Sequence, residues 1–171
     1  MHLFNDKELR DSIMSDLSSI VEEVTDKIFD ELRNSIETNV YGAGTPDWYS
    51  RRMDDHGLLG SFDKEGVLRS GNMVRERILG NTDSMELTPD EFVHGSNYWD
   101  RDDVRDILYD IIINGQNSPE HPRVGKLFGE SGFWTEPRDF WTPIVDLIKD
   151  GRADRMIEKA FDSRGIIWKK I

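Results

Sequence analysis

From about Asp6 to Asn39, Leu9, Ile13, Leu17, Ile20, Val21, Val24, Ile28, Leu32 and Ile36 recur at steps of three and four. That spacing places them on one stripe of a single long helix. Asn5 and Glu8 stand at capping-box spacing, and Asp6 and Glu8 put negative charge at the positive helix end. The start of the helix is thereby specified. The opposite face carries Asp16, Glu23, Asp26, Lys27, Asp30 and Arg33. The simpler reading of that face is solvation, and the alternative is a docking surface.

Helical spacing stops at Tyr41-Gly42-Ala43-Gly44-Thr45-Pro46, where glycines and a proline supply turn conformations and remove a backbone donor. Trp48 to Asp63 reads as irregular or partly extended. Val67 to Leu79 then predicts a long strand, turned back at Gly80-Asn81-Thr82-Asp83 toward Met85-Glu86-Leu87. Arg69, Arg75 and Arg77 among few large apolar residues mark it as an edge or a projecting hairpin. A second helix is expected over Asp103–Asn114, stopped by Gly115, although Ile111-Ile112-Ile113 would also suit a strand. Gln116 to Glu136 is a long loop without periodicity. Two helices follow, Phe140 to Lys149 and Arg152 to Ser163, the latter ended by Gly165, and the closing residues Ile166 to Ile171 suit a short strand. At 171 residues one domain over 1–171 is expected, with a hairpin or insertion at about 63–100 projecting from it.

Composition narrows the function classes. The net charge of -12 opposes electrostatic wrapping of a phosphate backbone. The absence of cysteine removes disulfides, thiolate nucleophiles and zinc-thiolate clusters. No apolar run approaches the roughly 18 residues of a bilayer span, and the first residues lack signal-peptide character. A soluble protein retained in the producing cell is the expectation.

The usual carriers of chemistry are also missing. His56 follows Asp54-Asp55, but three adjacent side chains point apart and cannot converge alone on a metal. His94 and His121 occupy turn-like contexts without metal-ligand spacing. Asp100, Asp102, Asp103 and Asp106 lack the order of a calcium loop. No phosphate-loop, dinucleotide or nucleophile-elbow motif is present. No catalytic residue, metal ligand or cofactor is assigned, and the expectation is a protein that is not an enzyme.

Phe133-Trp134-Thr135-Glu136-Pro137-Arg138-Asp139-Phe140-Trp141-Thr142-Pro143 sets four large aromatics around an arginine and two prolines, just before an amphipathic helix. Such residues serve cores and interfaces alike. Phe140 and Trp141 precede Ile144, Val145 and Ile148 at helical spacing, so at least one of them should be core. Phe133 and Trp134 sit on the loop, and Arg138 can bridge to an acidic neighbour.

The order of these signals resembles the tail-completion, or head-tail joining, proteins of tailed bacteriophages. The likeness rests on Val40-Tyr41, on Pro46-Asp47-Trp48-Tyr49-Ser50-Arg51-Arg52 and on Gly57-Leu58-Leu59-Gly60-Ser61, all after a long helix. Members typically show a Tyr, a Pro, a Tyr-x-Arg and a Leu-x-x-Ser there. Arg138-Asp139-Phe140 is similar to the family's Arg-Pro-Phe segment before its final helix, with Asp139 in place of the proline. Gly80 to Asp103 has no counterpart in the family.

The resemblance implies an α+β fold, here a long N-terminal helix, a small antiparallel sheet with a long hairpin, and C-terminal helices. It further implies a structural virion protein of the neck, made in the host cytoplasm. Such subunits form a homo-oligomeric ring, a hexamer or dodecamer, between the connector or portal-side protein and the tail tube or tail terminator. DNA passes through without specific binding, and no membrane is involved. The implied partner-facing set is Tyr49, Arg51, Arg52, Phe133, Trp134, Arg138, Phe140 and Trp141. Two other readings stand beside it, a soluble adaptor or regulatory module using the long helix as its partner surface, and a hydrolase with an unrecognised carboxylate site.

Overall fold

The computed structural model describes residues 5–42, 57–81, 109–110, 112–114 and 137–169. The fold is α+β, with a long N-terminal helix, small antiparallel strand pairs and C-terminal helices. Helix α1 spans Asp6–Ile36 and passes into a π-helical turn, Glu37–Tyr41, closed by a Gly42 amide bond to the Glu37 carbonyl at 2.7 Å. Its start is the expected capping box: the Glu8 amide donates to Asn5 Oδ1 at 2.8 Å, and the Asn5 amide donates to Glu8 Oε2 at 3.3 Å.

Strands β1 (Phe62–Lys64), β2 (Leu68–Ser70), β3 (Met73–Arg75) and β4 (Ile78–Gly80) form two pairs, β1 with β4 and β2 with β3. Glu65 N–H donates to the Arg77 carbonyl and Asn81 N–H to the Ser61 carbonyl, bonds that flank the outer pair. The single long strand expected over Val67–Leu79 is therefore corrected to three short ones. The chain reverses at Gly71, whose φ of +60° is costly for any residue with a Cβ. Strand β4 pairs with β1, while Thr82 and Asp83 of the expected reversal and the return segment Met85–Leu87 lie outside the described residues, as does the rest of the chain up to Tyr109.

Tyr109–Asp110 and Ile112–Asn114 are helical, which favours the helix over the strand alternative there. The rest of that expected helix and the loop Gln116–Glu136 fall outside the described residues. Helices α2 (Thr142–Lys149) and α3 (Arg152–Ser163) close the fold. Helix α3 ends in a Schellman turn: Gly165 has φ +66°, its amide donates to Asp162, and the Ile166 amide donates to Phe161. After it, Ile166 to Lys169 has no regular structure in place of the expected strand, and Ile167 is fully exposed.

The chain divides into two compact units. In the first, formed by residues up to Glu31, Lys64–Leu79 and Val145 onward, Ile20 and Val24 of α1 bury against Ala160 of α3, with Ile28, Met156, Phe161 and Ile166 around them. Arg164 holds α3 to α1 from the rim, 2.9 Å from Glu23 and 3.2 Å from Ser19 Oγ. Hydrogen bonds from Lys27, then from Arg164, keep the Glu23 carboxyl below its ordinary value. The apolar stripe is not buried throughout: Leu9 and Ile13 are 52% and 49% exposed, while Met14 and Ser18 turn inward. In the second unit, Leu32–Asp63 with Gly80–Ile144, the core is Leu32, Ile36, Val40, Leu58, Leu59, Phe62, Ile112, Phe140 and Ile144.

Val24→Asp would strand a charge in the first core and is expected to cost about 3–5 kcal/mol. Asp30→Asn on the solvated face should stay within about 0.5 kcal/mol. Denaturant midpoints measured for both variants check the assignment, and equal losses would show that the wrong face was placed inward.

Candidate assembly surface

Within the second unit, side chains from α1 and from the π-helical turn that follows it grip the chain ahead of α2. Ser35 Oγ donates to the Phe140 carbonyl at 2.8 Å, and Asn39 Nδ2 donates to the Asp139 carbonyl at 3.1 Å. Asn39 also donates to Ser35 Oγ at 3.1 Å, so the two positions, four apart on the helix, act as one clasp. The Arg138 amide donates to the Ile112 carbonyl at 2.9 Å. With its backbone so held, residue 140 is directed inward and residue 141 outward.

Phe140 is 1% exposed. It meets Phe62 edge-on at 5.9 Å and Tyr109 at 6.3 Å, geometry that favours aromatic pairs. It is a core residue, which corrects its place among the partner-facing residues. Trp141 is 43% exposed and stacks on Phe62 at 6.4 Å and 17°. Arg138 is half-buried. Phe133, Trp134, Tyr49, Arg51 and Arg52 lie outside the described residues, as do His56, His94, His121 and the Asp100–Asp106 cluster.

Asp139 stands where the family resemblance expects proline, and it has a local task. Its Oδ1 accepts from the amides of Trp141 at 3.0 Å and Thr142 at 2.9 Å, capping the start of α2. Burial works against its charge, yet the bonds from the Thr142 side chain and the Thr142 and Trp141 amides outweigh that and hold its carboxyl below the ordinary value. Proline could supply a fixed φ at this place but no such acceptor.

Leu58-Leu59-Gly60-Ser61 forms a 3-10 turn over Leu59–Ser61, and Ser61 Oγ donates to the Leu58 carbonyl at 2.7 Å. The Leu-x-x-Ser spacing thus closes one turn, and both Leu58 and Ser61 are buried. No local spacing signals the partner that covers it. Tyr109 stacks on Phe62 at 5.1 Å and places its hydroxyl 2.9 Å from Ser61 Oγ and 3.2 Å from the Ser61 carbonyl. Burial pushes that hydroxyl up, against the lowering effect of the Ser61 side chain and the Asn81 backbone. Gly80 packs closely beside it: a Cβ there would lie 3.0 Å from the Tyr109 ring and 3.3 Å from Phe62, so a side chain at this position would push the two rings aside.

Among the described residues no group of His, Asp or Glu is arranged to hold a metal, and no helix is long and apolar enough to cross a membrane. What this region presents is a rigid aromatic support with one large ring, Trp141, at its surface. The chain matches no protein-family model, no characterised protein and no solved structure.

Phe140→Ala should cost about 3–5 kcal/mol, while Trp141→Ala should cost well under half of that, both read from thermal or denaturant unfolding. A pH prediction follows from Asp139. Its pKa is lowered on folding, so its contribution is complete above the unfolded-state value and disappears as pH falls through the lower folded value. Across that acidic window the stability gap between the protein and its Asp139→Asn variant should narrow or reverse, and a pH-independent gap would contradict the carboxylate cap.

Proposed function

We propose that this chain is a structural subunit of a phage neck, assembling as a ring that joins the head connector to the tail and leaves a passage for DNA. The observation that carries this reading is the convergence of the segments on which the family resemblance rests. Val40, the Leu58–Ser61 turn and the Arg138–Thr142 stretch belong to one unit, and Ser35, Asn39 and Phe62 tie them together. Far apart in sequence, they act as one structural piece. The acidic balance supports the same reading, because a channel wall of like charge offers DNA no retaining phosphate contacts. Neck rings work by fit and not by turnover, so the partner-facing residues are large side chains such as Trp141 and, in this proposal, Phe133, Trp134, Tyr49, Arg51, Arg52 and Arg138.

Light scattering on the eluting protein, joined to negative-stain images, tests this. Closed rings with a central opening are expected, with no retention of duplex DNA at physiological salt. A protein that stays monomeric at its highest attainable concentration, or that binds duplex DNA tightly, would overturn the proposal.

A further inference from the structure

Two exposed strips in the first unit complement each other and face different ways. The first lies on the β2–β3 hairpin. Leu68 pairs with Arg75 and Ser70 with Met73, which places these four on one face, while Arg69 and Val74 take the other. The second face is turned to α1: Arg69 Nε donates to Ser18 Oγ at 2.6 Å, and Arg10 Nη2 donates to the Gly71 carbonyl at 3.1 Å. The first face is left outward, with Leu68 39% and Met73 62% exposed and Arg75 exposed beside them. In a chain of net charge -12, Lys64 to Arg77 is locally basic; Lys64 pairs with Asp26, Arg77 with Glu65 and Arg69 with Ser18 on the α1-facing side, so Arg75 carries the charge of the outward face.

The second strip lies on α1. Asp6, Leu9, Ile13 and Asp16 follow one another at steps of three, four and three, which puts them on a single helix face with the aliphatic pair at the centre and a carboxylate at each end. All four are exposed. Successive helix residues are offset by roughly 100°, so this strip lies about a third of a turn from the Met14 and Ser18 side that the hairpin covers. Among the described residues none of Asp6, Asp16 and Arg75 has an ion-pair partner.

We infer that the outer hairpin face of one copy docks on the Asp6–Asp16 strip of a second copy. Each strip has an apolar centre and a charged edge, the signs are opposite, and the arrangement matches the apolar core and polar rim of protein interfaces. A surface that meets a different surface on its neighbour makes a head-to-tail contact, and head-to-tail contacts close into rings when the rotation allows. The occupant is another copy of this chain, because the acidic strip that the basic hairpin fits is carried by the chain itself. The inference rests on the proposed self-assembly and names the surfaces that perform it.

Two variants decide the matter, a hairpin variant (Met73→Ser with Arg75→Glu) and a helix variant (Leu9→Ser with Ile13→Ser) that keeps both carboxylates, so that the two altered surfaces repel each other. Circular dichroism should show both folded, since every altered side chain is exposed. Should either unfold, Met73→Ser or Ile13→Ser alone replaces it. Each variant alone should sediment as a monomer. Mixed in equal amounts, they should form dimers and nothing larger, because each retains the surface that the other has lost. Variants that assemble like the unaltered protein would overturn the surface assignment and leave the ring proposal standing. Monomeric variants that do not combine on mixing would overturn the head-to-tail contact. Unaltered protein that never self-associates would overturn the inference and the ring proposal together.

Discussion

The clasp from Ser35 and Asn39 to the carbonyls of Phe140 and Asp139 is the interaction on which the second unit depends. Buried carbonyls need partners, and without these donors the Phe140 carbonyl would lose its bond inside a core, at a cost of about 1–3 kcal/mol. The clasp also directs side chains. Once the backbone at 139 and 140 is tied to α1, the Phe140 ring enters the core, the Asp139 carboxylate meets the first amides of α2, and Trp141 is left at the surface over Phe62. The π-helical turn begins at Glu37, between Ser35 and Asn39, so the clasp sits where α1 widens into its last turn.

Sequence periodicity reached the long elements and failed on the short ones, for a physical reason. The capping box at Asn5, the inward placement of Ile20, Val24, Leu32 and Ile36, and the Gly165 stop all follow from local rules that act over several turns. Strands of three residues carry one alternation at most, so β2, β3 and β4 merged into a single expected strand. The signal that could have separated them was Gly71-Asn72, a pair suited to a tight reversal. Ser18 and Ser35 were invisible for another reason. They lie on the buried side of α1 as polar residues: Ser18 bonds the Met14 carbonyl one turn back in its own helix, whereas the Phe140 carbonyl that Ser35 meets is supplied only by the fold.

The aromatic segment illustrates the same division at the candidate site. Helical spacing required one of Phe140 and Trp141 to be core, and it could not say that Phe140 would be buried against Phe62 and Tyr109. Those contacts join residues far apart in sequence, and no short window contains them. Asp139 looked like a departure from the family pattern, yet its carboxylate supplies the cap that α2 otherwise lacks. A carboxylate at this position therefore starts the helix by accepting from its first amides, without the fixed φ of a proline.

Charge sets the remaining constraint. Copies that each carry a net charge of -12 repel as they approach, and the repulsion grows with every subunit added to a closed assembly. Apolar side chains such as Leu9, Ile13, Leu68 and Met73 attract without direction and cannot by themselves select one orientation. In the proposed head-to-tail contact a locally basic hairpin in an acidic chain would resolve both difficulties at once, because it would turn repulsion into attraction only where it meets an acidic strip. Contacts between two hairpins or between two acidic strips remain unfavourable. The same charge pattern that would keep DNA from adhering to a channel wall would thus also specify which face of one subunit meets which face of the next.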